Sequence, residues 1–113
     1  MYQFSYNEIL EDSGQDSRRR EREAFDQVIG LLATAQEKGA GSREAVEAIY
    51  ALRKLWTLLM EDLASNENSL PDELRANLIS IGIWMLKEAA AVGNALDFDA
   101  MIAINTMIRD GLK

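Results

Sequence analysis

The sequence predicts an all-α fold, an antiparallel bundle of about four helices with an N-terminal arm or short helix. Two observations carry it. Apolar residues recur at helical spacing in four stretches, and capping residues, glycines and one proline separate those stretches by links too short for anything but a tight reversal. With 113 residues, 48% of them hydrophobic and 27% charged, the chain suits one compact helical domain over residues 1–113, with a radius of gyration of about 13 Å.

In the opening segment Tyr2, Phe4 and Tyr6 alternate as in an extended strand, and Ser5 with Glu8 offers a small capping box. This reads as an arm over residues 1–12 with about one helical turn, packed on the helices because a lone strand lacks a partner. Ser13 with Asp16 then predicts a helix over about 14–38, whose Phe25, Val28, Ile29 and Leu32 share one face and which ends at Gly39.

The link GAG is followed by Ser42, a good N-cap for a helix over about 42–64. There Ala45, Ile49, Leu52, Trp56, Leu59 and Leu63 form a bundle seam, and Val46, Leu55 and Leu58 add a second apolar stripe. In SNENSLPDEL, Ser69 or Asn68 is placed to cap, and Pro71 sits in the first turn of a helix over about 71–92. Its Leu74, Leu78, Ile81 and Met85 make one stripe, while Ile79, Ile83, Trp84 and Leu86 spread apolar character almost all round. Such a helix is either central or partly open to a partner. Asp97 caps a last helix over about 98–110, with Phe98, Met101, Ile102, Ile104 and Ile108 in its stripe.

Several function classes fall away on residue content. The chain has neither His nor Cys, so Ser-His and Cys-His nucleophile pairs and the usual zinc ligand sets cannot be assembled from it. GAGSRE at 39–44 lacks the third glycine of a dinucleotide fingerprint and follows a helix instead of a strand. Glu61 and Asp62 are adjacent, and on a helix they diverge. No enzyme, no cofactor and no metal are expected. The apolar run Leu78 to Leu86 is too short to span a bilayer, and MYQFSYNEILED has no basic n-region or apolar h-region, so a cytoplasmic location without membrane insertion is expected.

Arg18, Arg19, Arg20 and Arg22 invite a nucleic-acid reading. They fan over more than half of a helix circumference, are interleaved with Glu21 and Glu23 at pairing distance, and stand in a chain of net charge -7. RNA binding usually needs one basic face with aromatic platforms, which this run lacks. A solvated, pair-rich helix surface is the better account. Trp56 and Trp84 are read two ways, as core or as walls of a groove for an amphipathic helix.

MYQFSYNEILEDS, SREAVEAIYALRKLWTLLMEDLAS, NSLPDELRANLISIGIWMLKEA and INTMIRDGL, in that order, resemble the flagellar biosynthesis regulator family FlaF of alphaproteobacteria. The resemblance implies a small cytoplasmic, non-enzymatic helical protein needed for flagellin production and export. It implies action on flagellin in the manner of a chaperone, in opposition to the regulator FlbT, a possible second partner. It supplies no catalytic or binding residues. Gly14 stands where members often carry Pro, so the first turn is expected to fray.

The leading expectation is a flagellin-specific chaperone and regulator with a groove formed by Leu55, Trp56, Leu59, Ile83, Trp84 and Met85. A regulator contacting flagellin mRNA and a purely structural helical homodimer are the alternatives, and oligomeric state is open.

Overall fold

The computed structural model describes residues 6–91 and 96–112, with side chains from Ser17 onward. Four helices lie among them: α1 (Tyr6–Lys38), α2 (Arg43–Ala64), α3 (Asp72–Ala89) and α4 (Phe98–Gly111). The order and type match the sequence reading. The first five residues of the expected arm, Ser5 included, lie outside the described residues.

The largest departure is the start of α1. The expected boundary at Ser13–Gly14 is absent, and one helix of 33 residues runs through it. A lone glycine inside a helix costs about 1 kcal/mol, too little to stop propagation where no proline removes an N–H. At 1.5 Å per residue such a helix is about 50 Å long. The longest extent of the molecule is accordingly 55 Å and its radius of gyration 16.3 Å, above the value for a compact domain of this size.

The reversals are built from capping chemistry. Gly39, at φ +101°, donates its N–H to the Ala35 carbonyl at 2.8 Å and turns the chain out of α1. Ser42 Oγ accepts from the Ala45 N–H at 3.1 Å and donates to the Gly39 carbonyl at 2.7 Å, so one hydroxyl ties the end of α1 to the start of α2. Asp97 caps α4 through the Ala100 N–H at 3.0 Å.

For α3 the expected cap is corrected. The N-cap is Pro71 itself, with no side-chain hydrogen bond, and Asn68 instead accepts from the Leu70 N–H and donates to Asp62. Asp72 and Glu73 in the first turn supply the negative charge that the helix N-terminus favours. α3 ends at Ala89, three residues short of the expected end, and residues 92–95 lie outside the described set.

Contacts between named residues give the directions. α1 sets Phe25 against Trp56 of α2, and it sets Asp26 and Gln36 against Arg109 and Asp99 of α4. α3 brings Gly82 to Met60 of α2, close enough that a Cβ would collide with the sulfur. α1 therefore runs antiparallel to both α2 and α4, and α3 packs along α2.

The core is one cluster: Phe25, Val28, Leu32 and Ala35 from α1, Ala45, Ala48, Leu52 and Trp56 from α2, Met85 and Ala89 from α3, Phe98 and Met101 from α4. Only the second half of α3 contributes buried residues. Arg22 Nη1 reaches the Leu112 carbonyl at 3.1 Å, and Glu21 lies beside Asp62 near the end of α2. α1 residues N-terminal to this level thus extend past the ends of α2 and α4.

Candidate functional site

α2 carries two apolar faces because its hydrophobic residues occupy more than one helical stripe. The inward stripe, Ala45, Ala48, Leu52, Trp56 and Leu63, is buried. The other, at spacing i, i+4, i+12, is Val46, Tyr50 and Leu58, exposed by 69%, 70% and 56%. Isolated exposed apolar residues are ordinary, but three large ones in register on one helix form a stripe, and no helix of the described chain covers it.

Two adjoining depressions flank the stripe. One, of about 820 Å³, lies between α2 and the C-terminal end of α3. Ala40, Ala45 and Ala89 give it a floor of small side chains, Val46, Ile49, Tyr50 and Leu58 give it apolar walls, and Arg53, Lys54 and Thr57 supply polar atoms. The other, of about 430 Å³, lies between α1 and α2 over Ala24, Val28, Ala51 and Leu55. Tyr50, Lys54 and Leu58 line both and form the ridge between them. A depression with a small-residue floor and an apolar wall is a shape that admits the apolar face of an amphipathic helix.

The six residues expected to form a groove do not come together as one. Trp56 and Met85 are fully buried and cannot touch a partner, which corrects their placement. Their burial has a cause that sequence spacing misses. Asn105, on the inner face of α4, accepts from Trp56 Nε1 at 2.9 Å, donates to the Met101 carbonyl at 2.6 Å and approaches Met85 Sδ at 3.6 Å. A buried indole needs a hydrogen-bond partner, and this asparagine supplies it. Leu59 and Trp84 are half-buried against the core, Ile83 is half exposed on α3 but lines neither depression, and Leu55 alone of the six lines one.

Residues 2–112 match the family model described as flagellar protein FlaF. The chain belongs to the FlaF family. No curated protein and no solved structure matches it.

In this FlaF chain the arginine run is part of a mixed-charge helix surface. Arg20 is within 3.5 Å of the Ser17 hydroxyl, and Arg18 lies near enough to Glu21 to favour its ionised form. Arg22 is half-buried and bonds the last carbonyl after α4, where a cation complements the negative end of the helix dipole. Arg109 bridges α4 to α1 through Asp26 at 2.9 Å and also pairs with Asp110, and these hydrogen bonds raise its pKa above the ordinary arginine value. Among the described residues no group of His, Cys, Asp or Glu could hold a metal ion, and no helix is long and apolar enough to cross a membrane.

Proposed function

We propose that this FlaF-family protein binds flagellin in the cytoplasm before export, by seating an amphipathic helical segment of flagellin on the outer face of α2. The protein acts by binding and not by catalysis, and control of flagellin synthesis follows from how much flagellin it holds. The observation that supports this is the exposed stripe Val46, Tyr50 and Leu58 with a small-residue floor beside it. Terminal segments of flagellin that coil together in the filament expose apolar seams before assembly. A chaperone covers such a seam by supplying the missing neighbour, with burial contributing about 25 cal/mol per Å² before ordering costs.

Co-expression with flagellin followed by size-exclusion chromatography tests the proposal. Co-elution is expected with the wild-type chain and is expected to vanish in Tyr50→Asp/Leu58→Asp, a pair of exposed positions whose change leaves the fold intact. Failure of the wild-type chain to co-elute with soluble flagellin defeats it.

A further inference from the structure

The groove on α2 contains a charge feature that apolar complementarity leaves unexplained. Arg53 and Lys54 line it between Tyr50 and Leu58, both exposed, and neither forms an ion pair or hydrogen bond among the described residues. Their i±3 and i±4 neighbours on α2 are Ile49, Tyr50, Ala51, Trp56, Thr57 and Leu58, none of them acidic. The nearest acid earlier on the helix, Glu47, is engaged by Arg43 at 3.4 Å. The two cations therefore stand among apolar groove residues with no counter-charge among the described residues.

We infer that Arg53 and Lys54 are recognition residues, and that the groove takes an amphipathic helix carrying acidic side chains beside its apolar stripe. The inference rests on the proposed docking of a helical segment and specifies that segment's chemistry. From Val46 to Leu58 the stripe covers about 18 Å of helix axis, a little over three turns. An occupant of that length presents apolar side chains to Val46, Tyr50 and Leu58 and places one or two carboxylates opposite the cations midway. The acidic groups supply orientation and specificity more than affinity, because exposed pairs contribute little net energy while a like charge in the same place is repelled.

The same geometry disfavours a second copy of this chain as occupant. In a twofold α2-to-α2 pairing centred on this stripe, each Arg53–Lys54 pair faces its own symmetry mate, and like charges meet at the middle of the interface.

A displayed library tests this without flagellin. Eighteen-residue helices with fixed apolar positions at i, i+4 and i+12, and with flanking positions varied among Glu, Gln and Lys, are selected against the wild-type chain and against Arg53→Glu/Lys54→Glu. Circular dichroism checks that the variant folds. Glu is expected to be enriched at the central flanking positions by the wild-type chain and Lys by the variant. The best Glu peptide is expected to bind Arg53→Gln/Lys54→Gln about tenfold more weakly and to lose affinity as salt rises. Retention of no peptide, selection of the same charges by both proteins, or a wild-type dimer in sedimentation that Tyr50→Asp dissociates would each overturn the inference. Because no flagellin is present, these results are separate from the co-elution test: a groove that selects acidic helices while flagellin fails to co-elute refutes the partner and keeps the chemistry.

Discussion

The inward and outward faces of α2 both carry large apolar side chains and have opposite fates. On the inward face Trp56, Leu52 and Ala48 are fully buried, with Phe25 meeting Trp56 edge-on at a centroid distance of 6.1 Å and an interplanar angle of 85°. On the outward face Val46, Tyr50 and Leu58 are more than half exposed. Helical spacing marks a second stripe as Val46, Leu55 and Leu58, but it does not show that Leu55 is half-buried while Tyr50 stands open beside Val46 and Leu58. What separates the two faces is the supply of partners. α1, α3 and α4 all contribute residues to the core around Trp56, including the hydrogen-bond acceptor its indole needs, whereas nothing in the described chain crosses the outer stripe. One face therefore stabilises the fold, and the other is the face on which the proposed docking rests.

The largest expected effect breaks the inward face. Trp56→Ala is expected to lower stability by about 3 to 5 kcal/mol, since it removes a fully buried aromatic and leaves Asn105 without its donor. Urea denaturation measures it. Asn105→Leu is expected to cost about 1 to 3 kcal/mol by orphaning the indole N–H. The double change Trp56→Phe/Asn105→Leu, which removes both polar partners, is expected to cost less than the sum of Trp56→Phe alone and Asn105→Leu alone. Full additivity would mean that the Trp56–Asn105 bond has no energetic role.

Tyr50→Ala on the outward face sharpens the contrast. Its stability is expected to stay within about 0.5 kcal/mol of the wild type, because the side chain is 70% exposed. Under the proposed docking, co-elution of Tyr50→Ala with flagellin is expected to weaken. A loss of stability comparable to that of Trp56→Ala would show that the two faces are not distinct in role.

The sequence exposes the fold more fully than the site, and particular residues show why. Ser42, Gly39 and Asp97 announce their turns because capping chemistry is local, and the structure places all three as the residues suggest. The start of α1 is illegible for the same reason in reverse: Ser13 and Asp16 resemble a cap, but a helix already propagating gains nothing by stopping at Gly14. The family was legible in LPDELRANLISIGIWM, a run much more particular than an amphipathic pattern. The groove was not, since seeing that Trp56 is sealed and Tyr50 open requires knowing which neighbours lie on each side of α2. A polar residue in the middle of the α4 apolar stripe, Asn105, was the available signal that an indole would be sealed there.

The reversal between α1 and α2 holds both faces in register, and changes there are expected to have intermediate effects on stability and little on binding. Ser42→Ala is expected to cost about 1 kcal/mol through the lost cap to Ala45. Gly39→Ala is expected to cost a similar amount from its backbone angle alone, about 1 kcal/mol, because no atom lies within 4 Å of where the methyl would stand. Thermal unfolding followed by circular dichroism measures both. A much larger loss in Gly39→Ala would point to a packing role that the open space around it does not suggest.

The smallest expected effect lies at the far end of the α1–α2 seam, where Glu21 feels the charge of Asp62. Removal of the Glu21 carboxyl from water raises its pKa above the ordinary glutamate value, the neighbouring Asp62 adds to the rise, and Arg18 opposes it. Glu21 is an exposed residue, so the energetic weight is small and salt-sensitive. The sign follows from linkage. A carboxyl with a higher pKa in the folded state binds more protons folded than unfolded between its two pKa values, so stability falls as pH rises from the ordinary glutamate range through the folded value. Glu21→Gln removes that dependence: at neutral pH the variant is expected to be at least as stable as the wild type, and on acidification it is expected to miss the small gain the wild type shows just above the glutamate range. Denaturation midpoints of the two proteins across that range decide it, and a variant clearly less stable at neutral pH would mean that Glu21 is held by attraction to Arg18 more than it is strained by Asp62.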